Sequence, residues 1–187
     1  MKKSNTEIEV RFINFDKTAL IKKLKSLGAK DLGQKHLKET IFDNKERTWN
    51  KNLKLIRLRQ INNLSLVTFK QHTTKKTAKR FEIEFEIADP KKIVEFFEQI
   101  EIIPIRTQEK KRHSFKLGEV MVDFDNWPTA PDMVELEGPN VNKLKEAAKL
   151  LELDWSKAVY ADALTVLEKY FHIPVSKLSH FTFKKIS

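Results

Sequence analysis

The amino-acid sequence predicts an α+β protein built on a closed or nearly closed antiparallel eight-stranded β-barrel, with a charged interior and helices packed outside. Two patterns carry this expectation. From Arg80 to Ile87, charged and large apolar residues alternate strictly, which in a strand puts all the charge on one face. The same alternation recurs in Glu7, Glu9 and Arg11 around Ile8 and Val10, in Arg57 and Arg59 around Leu58, in Asp123 and Asp125 around Phe124, and in Glu135 and Glu137 around Leu136. One charged face is an ordinary solvated surface, whereas five of mixed sign suggest polar faces that converge.

Thr6 to Phe15 reads as the first strand. Asp16 is a suitable N-cap for a helix through Leu27, with Leu20, Ile21, Leu24 and Leu27 on one side and Gly28 just past its end. A second strand is expected from His36 to Asp43, then a polar turn-rich stretch to Asn52. Leu53 to Gln60, the Asn62-Asn63 turn and Leu64 to Gln71 form a hairpin. A polar loop over residues 72–79 precedes the strand from Lys79 to Ile87. Asp89-Pro90 starts a helix, with proline where its missing N–H costs nothing, burying Ile93, Phe96 and Phe97. Glu101 to Leu117 and Glu119 to Asn126 are strands joined at Gly118. The Trp127–Pro131 connection is rigid, and Met133 to Glu137 is the last core strand, ended by Gly138-Pro139. Helices follow at about Asn142 to Leu151 and Lys157 to Tyr170. A tail over residues 171–187 docks back through Leu178, Phe181 and Phe183, completing one domain over residues 1–187.

Strand parity then assigns faces. Helices need an apolar surface to cover, so Ile8, Val10, Ile56, Leu58, Val67, Phe69, Phe81, Ile83, Phe85, Val122, Phe124 and Leu136 face outward. The charged set lines the inside. Such an interior must be wet, internally paired and filled by a charged ligand, because unpaired buried charges are costly. The alternative is an open sheet with one solvated charged face.

Composition limits the function. With no cysteine there is no disulfide, thiolate metal site or cysteine nucleophile, and no apolar run approaches a membrane span. The start lacks the apolar region of a secretory signal, so a cytoplasmic location is expected, with no membrane partner. A net charge of +10 suits an anionic partner, but 26 acidic residues lie largely on the same strands as the basic ones. Mixed faces suit a metal–phosphate ligand better than nucleic acid. No aromatic-interleaved basic strand supports RNA binding, and no GxxxxGK[ST] loop supports a P-loop ATPase.

Glu7-Ile8-Glu9-Val10-Arg11 resembles the ExExK motif that opens the CYTH domain, the superfamily of triphosphate tunnel metalloenzymes. The resemblance extends from Glu7 to about Tyr170, through Arg57 and Arg59, Lys70, Arg80 to Glu84, Lys110 and Arg112, Asp123, and Glu135 and Glu137. It is nearest the class IV adenylyl cyclase-like branch. The resemblance implies a barrel that forms a triphosphate tunnel. It implies metal ligation by Glu7, Glu9, Asp123, Glu135 and Glu137, with Mg²⁺ as cofactor and Mn²⁺ as substitute. Phosphate ligands would be Arg11, Arg57, Arg59, Lys70, Arg80, Lys110 and Arg112. Glu7, Glu9, Arg57, Arg59, Lys110 and Arg112 are the expected catalytic set, with Glu82, Glu84 and Asp125 supporting. Two departures stand out: arginine at position 11 where lysine is usual, and Asp125-Asn126-Trp127-Pro128 with Pro131 where many cyclase-like relatives carry Leu-Gly.

The expected substrate is a nucleoside triphosphate or inorganic triphosphate. A cyclase converting ATP to 3′,5′-cyclic AMP and pyrophosphate is the first expectation. A tripolyphosphate, thiamine triphosphate or nucleoside triphosphate hydrolase is the second, and a non-catalytic polyphosphate- or nucleotide-binding module the third. A homodimer is carried as a further expectation.

Overall fold

A computed structural model describes residues 6–49, 54–72 and 79–187, the side chains of Thr6, Glu7, His72, Lys79 and Arg80 excepted. These residues form nine strands and four α-helices: β1 (Thr6–Phe12), α1 (Lys17–Ser26), β2 (Lys30–Asn44), β3 (Lys54–Ile61), β4 (Leu64–His72), β5 (Lys79–Ile87), α2 (Pro90–Gln99), β6 (Ile102–Leu117), β7 (Val120–Asn126), β8 (Met133–Gly138), α3 (Val141–Leu150), α4 (Ala163–Lys169) and β9 (His180–Phe181).

The sheet order is β2-β3-β4-β5-β1-β8-β7-β6-β9, and β2 also pairs with β6, which closes the first eight strands into a ring. All eight ring pairings are antiparallel, while β9 lies parallel on β6. Among the described residues, the ladder between β1 and β5 pairs Thr6, Glu7 and Ile8 with Phe81, Arg80 and Lys79. The open-sheet alternative is therefore set aside in favour of a nearly closed barrel.

Three apolar clusters hold the fold, two of them on the outward face. Leu20 and Leu24 of α1 and Leu144, Ala147 and Ala148 of α3 bury Val10, Phe115, Val122, Phe124 and Leu136. Phe97 of α2 covers Phe42, Ile56, Leu58 and Val67. The third cluster lies differently: Met133 shares its strand parity with Glu135 and Glu137, yet packs with Trp127, Val166 and Leu167 of α4, Val175 and Phe181. One part of the interior is thus filled by apolar side chains from α4 and the C-terminal segment.

Local signals act where expected. Asp16 accepts from Ala19 N at 2.9 Å, Asp89 from Lys91 N at 2.9 Å, and Gly28 takes φ +71° past the end of α1. Four expectations need correction. β1 stops at Phe12, since Asn14 adopts φ 59°. β2 starts at Lys30 rather than His36, because β6 pairs along its whole length with a bulge at Gly33. The helix expected from Lys157 to Tyr170 begins only at Ala163. Before it come a 3₁₀ turn at Trp155–Lys157 and a backbone bridge from Val159 to Arg11. Phe96 is 55% exposed, and Phe81, Ile83 and Phe85 on β5 are also exposed, so no helix among the described residues covers that stretch of the barrel. The polar loop expected after β4 lies mostly outside the described residues.

Candidate active site

Inward parity on β1, β3–β6 and β8 gathers the charged residues around one cavity of about 290 Å³. Its wall includes Glu9, Arg11, Arg57, Arg59, Lys70, Glu82, Glu84, Lys110, Arg112, Glu135 and Glu137. Of the expected site residues, only Glu7 and Arg80 have side chains outside the described set; their backbones are paired across the β1–β5 seam. Asp123 and Asp125 sit behind the wall and do not line it.

Carboxylate oxygens of Glu9, Glu135 and Glu137 lie within 4.8 Å of one another. Register explains the grouping, because Glu9 stands opposite Glu137 and Arg11 opposite Glu135 in the β1–β8 ladder. Arg11 lies among them, bonded to Glu9 and Glu135 through Nη2, while Nη1 donates to Ala161 O at 2.5 Å. Burial lowers its pKa, but Glu135 and Glu9 more than offset that and leave it above the ordinary arginine value. Burial, with Glu135 and Glu9 as like-charged neighbours, pushes Glu137 up to about 7.

A second group centres on Arg112. Its Nε and Nη2 bind Asp125 at 2.6 and 2.7 Å, the fork geometry that arginine offers a carboxylate, and Nη1 binds Asp123 at 2.5 Å. Lys110 donates to the same Asp125 at 2.7 Å. Burial raises the Asp125 carboxyl, but Arg112 and Lys110 outweigh it and hold the group below its ordinary value. Burial and the neighbouring Arg112 draw Lys110 down to about 8 against the pull of Asp125. The carboxylates of Asp123 and Asp125 therefore orient cations in this state and stand apart from the Glu9, Glu135 and Glu137 triplet.

Glu39, absent from the sequence-based set, organises a third group. It accepts from Arg59 Nε at 2.8 Å and Gln108 Nε2 at 2.7 Å, and lies 3.4 Å from Arg57. Burial raises its pKa, but Arg57, Arg59 and Lys110 bring it far below the usual carboxylate range. Lys38-Glu39-Thr40 shows no charge alternation, so parity on β2 could not be read before its partners were known. Arg106 and Gln108 were missed for a related reason: four and two residues upstream of Lys110, they share its face but sit in a mixed stretch. Lys70 pairs with Glu82, and Glu84 accepts from Thr68 at 2.7 Å.

A nearly closed barrel with paired acidic and basic groups around an internal cavity defines a charged-tunnel protein. The CYTH domain family model matches residues 5–176, and the chain belongs to that family. Over 150 residues it is 28% identical to a Methanocaldococcus jannaschii protein named "putative adenylate cyclase", covering 78% of this chain and 83% of that one. Among solved structures, the PH1012 protein of Pyrococcus horikoshii superposes with a TM-score of 0.70 at 24% identity, over 83% of this chain and 96% of its own. HpAC1 from Hippeastrum, described as having a dominant triphosphatase activity, gives 0.63 at 15% identity over 91% and 98%. At these identities the structural likeness is one of fold.

Proposed function

We propose that this protein is a metal-dependent enzyme acting on a nucleoside triphosphate, an adenylyl cyclase of the class IV type that converts ATP to 3′,5′-cyclic AMP and pyrophosphate. The observation that carries the reading is one cavity holding three clustered carboxylates, Glu9, Glu135 and Glu137, beside Arg57, Arg59, Lys70, Lys110 and Arg112. Cations and carboxylates are nearly matched there, so a bare triphosphate would meet as much repulsion as attraction. A divalent cation accompanying it removes that obstacle.

The donor set fits Mg²⁺. Three carboxylates supply hard oxygen ligands, and Glu137, raised to about 7 by burial and its like-charged neighbours, would be drawn fully into its ionised form when a cation arrives. Mn²⁺ takes the same oxygen donors. Asp123 and Glu7 belong to the proposed ligand set by family resemblance. The bound cation would polarise phosphate oxygens and neutralise charge. Arg57 and Arg59, oriented by Glu39, would hold phosphate oxygens. Arg112 and Lys110 would exchange their carboxylate partners for the chain's oxygens as charge develops there. In the cyclase reaction the ribose 3′-hydroxyl releases its proton to solvent as its oxygen attacks the α-phosphorus, the bond from that phosphorus to the α–β bridging oxygen breaks, and pyrophosphate leaves.

A triphosphatase is the second reading, favoured by the activity described for HpAC1. Incubation with ATP, tripolyphosphate and thiamine triphosphate in Mg²⁺ or Mn²⁺, with products resolved by chromatography and phosphorus NMR, separates the two. Cyclic AMP with stoichiometric pyrophosphate supports the cyclase. Orthophosphate alone supports the hydrolase, and no turnover by folded protein overturns both in favour of a binding module. Homodimer formation and a cytoplasmic address belong to the same proposal, to be checked by light scattering and cell fractionation.

A further inference from the structure

Arg106 of β6 is 6% exposed and lines the cavity where α4 and Val175 form its wall. Arg11, Arg57, Arg59, Lys70, Lys110 and Arg112 each have a carboxylate partner. Arg106 differs. Its Nε donates to Gln108 Oε1 at 2.9 Å and its Nη1 reaches Val175 O at 3.4 Å, both neutral acceptors. No carboxylate lies within ion-pair distance of it among the described residues; Glu168 and Glu39 act only from farther away. Burial correspondingly holds its pKa below the ordinary arginine value.

A second donor stands beside the same wall. Trp127, 3% exposed, packs with Val175 and Phe181 and also lines the cavity. Phe181 stacks on the indole at 6.0 Å and the Lys110 ammonium lies 5.1 Å over it. The indole Nε1–H is buried with no hydrogen-bond partner among the described residues. A buried cation without a counter-ion and a buried N–H without an acceptor are both costly. Both are donors, and Leu164 and Leu167 make the surroundings apolar, which strengthens attraction for an anion.

We propose that Arg106 and the Trp127 indole N–H form an anion subsite at the α4 wall, which takes the terminal phosphate of the substrate's triphosphate chain. The inference rests on the function proposed above and adds a direction: the free end of the chain points toward α4, and any organic group lies away from it. It makes the site selective for three phosphates over two.

Titration calorimetry with tripolyphosphate and pyrophosphate in Mg²⁺, over times too short for product to form, tests this. Arg106→Gln should raise the Kd for tripolyphosphate at least tenfold and that for pyrophosphate less than threefold, with Arg106→Lys recovering part of the loss. Trp127→Phe, which keeps an aromatic ring against Phe181, should cost tripolyphosphate at least fivefold. A folded Arg106→Gln variant that binds tripolyphosphate within twofold of the wild type, or that loses both probes equally, overturns the subsite alone. Should that variant not fold, Trp127→Phe decides, and a Kd within twofold of the wild type overturns the proposal. Wild-type protein that binds no tripolyphosphate overturns the proposed function and the subsite with it.

Discussion

Glu137, half-buried, and Glu39, buried, are carboxylates whose environments push them in opposite directions. Glu137 moves from an ordinary 4.5 to about 7, so the folded state holds its proton more tightly than the unfolded chain. Its effect on stability is then favourable at low pH and fades as pH rises from about 4.5 to 7. Glu137→Gln should remove that slope, and in EDTA at pH 8 the variant should be more stable than the wild type by roughly 2 kcal/mol, measured by urea unfolding. Added Mg²⁺ should favour the wild type instead. Glu39 is depressed, so its contribution is present above the unfolded carboxyl pKa and is lost as pH falls through the folded value. Glu39→Ala leaves Arg57 and Arg59 without their shared partner and should destabilise the fold by about 3 kcal/mol.

At the scale of elements, β5 is the strand whose sequence speaks most clearly and whose outer face came out differently. Its inner residues Glu82 and Glu84 meet Lys70 and Thr68 as alternation requires. Its outer residues Ile83 and Phe85 were expected under a helix, yet they are 43% and 50% exposed. Alternation tells which residues share a face, but it cannot tell whether a helix is long enough to reach across it. The ten-residue α2 buries Phe97 against β2, β3 and β4 and leaves Phe96 outside. Phe85→Lys should therefore shift stability by less than about 0.5 kcal/mol, whereas Phe97→Ala should cost about 3 kcal/mol; chemical denaturation distinguishes them.

For the molecule as a whole, the cavity is nearly balanced in charge, so the surplus behind the net charge of +10 lies elsewhere on the protein. The basic surplus can steer anions toward the tunnel, but binding inside depends on local exchange of partners. Ligand should stabilise the fold by about 2.7 kcal/mol at 100 times its Kd. Thermal unfolding with tripolyphosphate and Mg²⁺ should show that rise, and Glu9→Gln should lose most of it. Tripolyphosphate giving the same rise without Mg²⁺ would contradict a metal-bridged site.

Taken alone, the sequence determined the alternation on β1, β3, β5, β7 and β8, and with it the inward set from Glu9 to Glu137. It also determined the caps at Asp16 and Asp89, because those signals reside within a few neighbouring residues. Tertiary structure decided what each charge faces. Only the β1–β8 register brings Glu9, Glu135 and Glu137 within 4.8 Å, and only the β6–β7 pairing commits Asp125 to Lys110 and Arg112. Glu39 and Arg106 lie in stretches without alternation, so their place inside the barrel follows from strand partners far away in the chain. Which carboxylate neutralises which cation is a matter of distances across the barrel, and closure of the ring sets those distances.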